Sequence, residues 1–168
     1  MRFAPAAAAL SLLVAVSASV GHGAERQPDP RAAILIAEGR AALSADEPQK
    51  AIDAFEAALA VDPAHTAIYV EMAEAARREG LQGKAIRYYR EALKREPGNF
   101  DAISGEGAAL VEKGAVEKAR LNLAKLESLC GSNCSATQQL VMAIQRGPEP
   151  RVKTAGAVMP DDVPVSQN

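Results

Sequence analysis

Apolar residues recur at helical spacing through the middle of the chain. Between residues 67 and 78 they occupy positions 68, 69, 72, 73, 75 and 76, and between residues 84 and 95 they occupy positions 85, 86, 88, 89, 92 and 93. Each pattern places an apolar face on a helix. Gly80 and Gly83 interrupt the pattern, and Pro97 ends the second segment because proline lacks the amide that a continuing helix needs. The segment therefore predicts a helical hairpin.

The same hairpin pattern recurs 34 residues earlier and 34 residues later. Small or apolar residues keep this step in four sets of three: Gly39, Ala73 and Gly107; Leu35, Tyr69 and Ile103; Ala51, Ala85 and Ala119; and Phe55, Tyr89 and Leu123. A fixed period of this length indicates stacked units of supersecondary structure, in which each unit covers the apolar face of its neighbour. We therefore predict three successive hairpins.

In this pattern the chain resembles the tetratricopeptide repeat (TPR) family. Eight family positions are filled by suitable residues in the second unit: Tyr69, Met72, Ala73, Ala76, Ala85, Tyr89, Ala92 and Pro97. In the first unit only Glu38 departs, and the third has Gly131 where the family has proline. The resemblance implies an all-α fold, an α-α superhelix (TPR solenoid) of three helical hairpins plus a C-terminal capping helix. The repeats are expected at about 32–65, 66–99 and 100–131.

The resemblance also implies which residues face a partner, because family members bind through the first helix of each hairpin. The carried-over positions are Ala33, Ile36, Arg40, Leu43, Ala67, Val70, Glu74, Arg77, Asp101, Ser104, Ala108 and Val111. Nine are taken as candidate binding residues: Ile36, Arg40, Leu43, Val70, Glu74, Arg77, Asp101, Ser104 and Val111. Packing between units is the alternative role of Ile36 and Val70. We expect Arg40→Ala or Glu74→Ala to weaken partner capture without changing the melting temperature.

The groove that these positions imply is both apolar and charged. The lysine and asparagine with which some family members clamp a chaperone C-terminus are absent from the matching positions. The resemblance therefore implies a site for a peptide or helix of a protein partner, and not a carboxylate clamp.

The N-terminus has the features of a secretory signal peptide. Arg2 precedes an apolar stretch over residues 6–18, and small residues follow up to Ala24. The apolar stretch is short for a membrane-spanning helix. We predict a signal peptide at 1–24, a TPR domain at 25–146, location in the bacterial periplasm and no stable membrane insertion after cleavage. The alternatives are an uncleaved anchor and a buried first helix.

The chain beyond the third hairpin divides into a helix and a tail. Ala136, Leu140, Val141 and Ile144 share one face of a capping helix predicted at 135–146. Residues 147–168 contain four prolines and no helical period, which predicts a disordered tail. The LCGxxC element formed by residues 129–134, followed by a short helix, resembles the ends of small exported bacterial TPR proteins.

Cys130 and Cys134 are the only cysteines, and in an exported chain an even pair favours a disulfide bond. The sequence gives less support to three other roles of the cysteine pair: redox chemistry, zinc binding and covalent haem attachment. The spacing differs from the C-x-x-C redox motif, zinc needs further ligands, and covalent haem usually needs histidine where the chain has Ser135.

Composition narrows the function further. The net charge of −2 argues against a nucleic-acid partner, and no nucleophile–base pair, phosphate loop or metal-ligand cluster is apparent. We predict a non-catalytic adaptor without a cofactor, which binds an envelope, secretion or cofactor-assembly protein. The alternative is an accessory factor of a redox or metal pathway that uses Cys130 and Cys134. The oligomeric state stays open.

Overall fold

The computed structural model describes residues 26–148, which form seven α-helices and no strand. The helices are α1 (Pro30–Ser44), α2 (Pro48–Val61), α3 (Thr66–Arg78), α4 (Gln82–Arg95), α5 (Phe100–Glu112), α6 (Val116–Cys130) and α7 (Ser135–Arg146). The prediction of an all-α fold is confirmed. The predicted signal peptide and almost all of the predicted tail lie outside the described residues. Within 26–148, no helix has the length and apolar character needed to cross a membrane.

The helix ends follow from local sequence chemistry. At α1, the Asp29 carboxylate accepts a hydrogen bond from the Arg31 amide at 2.8 Å, and Pro30 occupies the first turn. At α5, the Asn99 side chain accepts from the Ala102 amide at 2.9 Å. Gly80 turns the chain between α3 and α4 with a φ of 75°, a conformation that favours glycine. These caps and turns set the lengths of the helices.

Consecutive helices pack as hairpins α1–α2, α3–α4 and α5–α6, and α7 packs against α5 and α6. Helix α3 is shared between two apolar clusters. Ile68, Met72 and Ala75 join the cluster of the first hairpin, whereas Tyr69 and Ala73 join the cluster that continues through α4 to α7. The apolar core is therefore a seam between stacked hairpins, as expected for a solenoid.

The 34-residue register continues into α7. Thr137 and Leu140 stand 34 residues after Ile103 and Glu106, and both are buried. A Cβ atom at Gly107 would come within 2.6 Å of the Leu140 side chain, so glycine allows α5 and α7 to approach closely. Helix α7 thus occupies the place of the first helix in a fourth unit.

Candidate functional site: the concave groove

Helices α3, α5 and α7, the first helices of their units, line a cavity of about 460 Å³. A second cavity of about 880 Å³ lies at the N-terminal ends of the same helices and reaches Arg40 on α1. Val70, Glu71 and Asp101 border both cavities. The two cavities therefore form one continuous surface, which we call the concave groove.

The floor of the groove is formed by small residues of α5. Gly105 and Ala108 line the cavity, and the Tyr89 ring lies directly behind Gly105. A Cβ atom at Gly105 would come within 2.6 Å of the Tyr89 hydroxyl oxygen and closer still to the ring. Glycine is therefore the residue that lets a buried tyrosine fill the space between α4 and α5 without raising the groove floor.

Charged residues on the α3 wall are already paired with one another. The Glu74 carboxylate accepts from Arg77 Nη1 at 2.9 Å, from Arg78 Nε at 3.1 Å and from the Tyr89 hydroxyl at 3.4 Å. Burial, and then the Glu74 charge, raise the pKa of Tyr89 well above its ordinary value. Tyr89 therefore stays protonated and donates to Glu74.

Arg77 links this cluster to the next hairpin. Its Nε donates to Glu112 at 2.9 Å, from α3 to α5. Burial opposes the charged form, but the carboxylates of Glu74 and Glu112 outweigh burial and raise the pKa of Arg77 above its ordinary value. On the same side of the molecule, Arg40 Nε donates to Glu71 at 2.6 Å, from α1 to α3. These ion pairs hold neighbouring units in register.

Comparison with known proteins identifies this architecture. The model of the family described as Tetratricopeptide repeat matches residues 36–99 and 83–127, which together exceed half of the chain. The chain belongs to the tetratricopeptide repeat family. TPR domains are protein-interaction modules, and TPR relatives of this fold are non-catalytic adaptors.

Solved TPR structures share the fold. The Sgt2 TPR domain from Aspergillus fumigatus has a TM-score of 0.64 and 27% identity, over 71% of this chain and 80% of that chain. The first TPR of Spaghetti (RPAP3), bound to the HSP90 peptide SRMEEVD, has a TM-score of 0.63 and 22% identity, over 71% and 98%. The Arabidopsis OM64 TPR domain has a TM-score of 0.62 and 16% identity, over 68% and 94%. The predicted α-α superhelix is confirmed. No curated protein matches the sequence.

Six of the nine predicted binding residues border the groove of this TPR domain. Val70, Glu74, Arg77, Asp101 and Ser104 line the first cavity, and Arg40 lines the second. Ser104 is only 5% exposed, and its hydroxyl donates to the Ala136 carbonyl oxygen at 3.0 Å. Ser104 thus joins α5 to α7 and offers little to a partner. Partner binding by the other five residues stays a prediction.

Three predicted residues need correction. Ile36, Leu43 and Val111 are 5%, 8% and 1% exposed and line neither cavity. Ile36 and Leu43 pack in the cluster of the first hairpin, and Val111 packs in the second cluster. The reason is that stacking turns these side chains towards neighbouring helices. The cluster that contains Ile36 also includes Ile68 and Met72 of the second unit, which supports a packing role for Ile36.

The expectation that Arg40→Ala and Glu74→Ala leave the melting temperature unchanged also needs correction. Arg40 joins α1 to α3, and Glu74 pairs with two arginines and a buried tyrosine. Loss of Glu74 would leave Arg77 and Tyr89 without a common acceptor. We therefore expect Glu74→Ala to lower the melting temperature, and it is a poor probe of binding alone.

The groove also contains residues that the sequence analysis did not select. Helix α7 contributes Gln139, Met142, Ala143 and Arg146, and Met142 is 54% exposed. Continuing the 34-residue step would have found Met142, because it follows Arg40, Glu74 and Ala108 at the same position of each unit. The prediction of α7 as a capping helix alone leaves these residues out of the candidate site.

Cys130 and Cys134 lie where α6 leads into α7. Their Cα atoms are 5.7 Å apart, within the range of disulfides, and the two sulfur atoms are joined in the structure. The Thr137 hydroxyl donates to the Gly131 carbonyl oxygen at 2.9 Å and stabilises the same turn. Among residues 26–148, no group of three or more histidine, cysteine, aspartate or glutamate side chains could hold a metal ion. That the purified protein contains a disulfide bond between Cys130 and Cys134 stays a prediction.

Proposed function

We propose that this TPR protein is a non-catalytic adaptor that holds a peptide or helix of a partner protein in the concave groove. Membership of a family of interaction modules supports this function. The observation that carries it is the groove itself: the low floor at Gly105 and Ala108 lies between the α3 wall and the exposed Met142 of α7. An apolar side chain of a partner would contact Met142 and cover this floor.

Polar groups at the two ends of the groove are available to orient the partner. Asp101, at the start of α5, and Arg146, at the end of α7, border the groove and make no side-chain bond to another residue within 26–148. The charged side chains of Glu71, Glu74 and Arg77 on the α3 wall already form ion pairs within the protein. The preferred segment therefore has a small apolar centre and carries a positive and a negative group towards opposite ends.

The test compares two alanine-to-arginine substitutions in helix interiors. Ala108→Arg fills the groove, whereas Ala124→Arg lies on the exposed face of α6, away from both cavities. Wild type, Ala108→Arg and Ala124→Arg serve as baits in periplasmic extract of the native organism. We expect Ala108→Arg to capture a specific partner about tenfold less well than the other two baits. Equal capture by all three, with equal melting temperatures, would rule out the groove.

We further propose that the adaptor is exported to the bacterial periplasm, where its partner is an envelope, secretion or cofactor-assembly protein. Support comes from Arg2, the apolar stretch at 6–18 and the small residues that precede Arg26. Periplasmic fractionation followed by intact-mass measurement tests the proposal. A chain that begins between residues 19 and 25 is expected, and a cytoplasmic chain that retains Met1 or Arg2 contradicts export.

In this compartment Cys130 and Cys134 are proposed to form a structural disulfide that sets the direction of α7 against the third hairpin. Their geometry and the oxidising compartment support the proposal. Thiol titration of the native protein should detect no free thiol, and two after unfolding with reductant. Thiols that cycle readily under mild reductant would instead favour the accessory factor of a redox pathway.

A further inference from the structure

One face of the first helix is left uncovered among the described residues. Arg31, Ile34, Glu38 and Ala41 follow one another along this face of α1, and all four are exposed. Ile34 is 69% exposed, one of the highest values for a large apolar side chain in residues 26–148. We call these four residues the α1 outer face.

The later units show what this face is built to contact. At the positions of Ile34 and Ala41, the second unit has Ile68 and Ala75, which are fully buried in the cluster of the preceding hairpin. The third unit has Ala102 and Ala109, also fully buried, on a helix that packs against α4. In both units the second helix of the preceding hairpin covers the face. The α1 outer face therefore has the register of a helix-packing surface.

Glu38 shows which charge a covering helix must bring. The same position of the third unit is Glu106, which is 7% exposed. Its carboxylate accepts from Arg90 Nε at 2.7 Å and from Asn122 Nδ2 at 3.1 Å, and Arg90 belongs to the covering helix α4. The fold thus accommodates a glutamate at this position when the covering helix supplies an arginine. A helix that covers α1 needs a cation opposite Glu38.

Helix α1 itself carries this cation. Arg31 and Glu38 lie on the same face, at equal distances from the point between Ile34 and Leu35. A two-fold axis through this point would place Arg31 of each copy opposite Glu38 of the other, with the two Ile34 side chains between the ion pairs. Among residues 26–148, the Arg31 side chain makes one exposed contact, with the Asp29 carboxylate at 3.3 Å.

We propose that two copies of this chain associate through the α1 outer face, with their first helices antiparallel and with reciprocal Arg31–Glu38 ion pairs. The occupant is a second copy because the α1 outer face carries both an arginine and a glutamate, so that an antiparallel pair of these faces is complementary in charge to itself. A single pair of helices buries less than the roughly 1,200–2,000 Å² of a standard stable interface, so the dimer should be weak, with a Kd of about 10 μM to 1 mM. The concave groove stays open, and the proposal does not depend on the proposed function.

Charge reversal tests the pairing. Sedimentation equilibrium is measured on the purified chain, its N-terminus established by mass spectrometry, from about 10 μM to 1 mM, the expected Kd range. Arg31→Glu and Glu38→Arg each place like charges opposite one another and should weaken association about tenfold or more. Combining the two restores both ion pairs and should return the Kd to within about threefold of wild type. Glu56→Arg, an exposed reversal on α2, should leave the Kd unchanged.

Three results would overturn the proposal. The wild type could stay monomeric throughout this range, as it would if residues before Arg26 covered α1. Association could be unaffected by either single reversal, which would place the interface elsewhere. The double reversal could also fail to restore association although circular dichroism shows unchanged helix content, which would exclude the reciprocal pairing.

Discussion

At the scale of a single residue, Tyr89 connects the floor of the groove with the α3 wall. Its ring fills the space behind Gly105, and its hydroxyl donates to Glu74 on the α3 wall. The side chain is 2% exposed, so it cannot move into solvent without opening the core. The depth of the groove and the position of Glu74 therefore both depend on the absence of a side chain at Gly105.

Gly105→Ala should destabilise the protein, because a methyl group there meets the buried Tyr89 ring. We expect a loss of about 1–3 kcal/mol in the free energy of unfolding, measured by chemical denaturation. Gly83→Ala is the matched control, since Gly83 lies in α4 with no atom near the added methyl group. It should stabilise by roughly 0.5–1 kcal/mol. Equal changes in the free energy of unfolding would show that the Tyr89 ring moves aside without a loss of stability.

Asp62 ties the segment before α1 to the end of α2. Its carboxylate is 4% exposed and accepts from the Asp29 amide at 3.1 Å and from Arg26 Nη2 at 3.0 Å. The hydrogen bond from the Asp29 amide, with the Arg26 charge, lowers the pKa of Asp62 although burial acts in the opposite direction. The folded state therefore favours the ionised form.

This pKa shift predicts a pH-dependent contribution to stability. A lowered folded-state pKa stabilises the protein above the ordinary aspartate pKa of about 4, and this contribution disappears as pH falls through the folded-state pKa. Asp62→Asn should therefore destabilise at pH 7, with a difference from wild type that shrinks below about pH 4. Urea unfolding at several pH values measures it, with the exposed Asp53→Asn as control. A difference independent of pH would exclude the ionic contribution.

At the scale of the element, α7 acts as the first helix of an incomplete fourth unit. Leu140 is fully buried where its side chain meets Gly107 of α5. Ala136 and Thr137 are also buried, while Met142 faces the groove. The helix therefore covers the end of the apolar seam with one face and extends the concave groove with another.

Leu140→Ala should destabilise by about 2–5 kcal/mol, because it leaves a cavity between α5 and α7. Met142→Ala is its control on the same helix and should change the free energy of unfolding by less than about 0.5 kcal/mol, since Met142 is exposed. Thermal or urea unfolding measures both changes. Similar losses from the two substitutions would mean that α7 does not pack through Leu140.

At the scale of the whole molecule, the core is divided between two apolar clusters that meet at α3. Phe55 belongs to the first cluster and Leu140 to the second, and both are fully buried. In a solenoid, stability is approximately a sum over units and their interfaces. Substitutions in separate clusters should therefore have independent effects.

The losses from Phe55→Leu and Leu140→Ala should add to within about 0.5 kcal/mol in the double variant. Tyr89→Leu combined with Gly105→Ala is the contrasting pair, because leucine lacks the ring atoms that the new methyl group would meet, and this should couple the two changes by more than about 0.5 kcal/mol. Denaturant unfolding of the four single and two double variants provides the comparison. Strong coupling between Phe55 and Leu140 would contradict a divided core.

The stacked hairpins and the apolar face of each helix could be predicted from the sequence because they depend on local information. Apolar spacing defines each helix face, Asp29 and Asn99 cap helices through nearby amides, and the 34-residue step gives the order of stacking. The same apolar spacing places Leu140 on the apolar face of the capping helix. Each of these features depends on residues close in sequence or on one repeated interval.

The make-up of the candidate site depended on contacts between residues far apart in the chain. Arg40 pairs with Glu71, 31 residues away, and Arg77 pairs with Glu112, 35 residues away. Charges that the sequence assigns to partner binding therefore form ion pairs between stacked units. Repeat position alone could not distinguish the buried Val111 from the accessible Met142, because exposure depends on which helix covers each face. The sequence by itself determined the repeating unit and its register, whereas only the tertiary structure decided which side chains of that register are left for a partner.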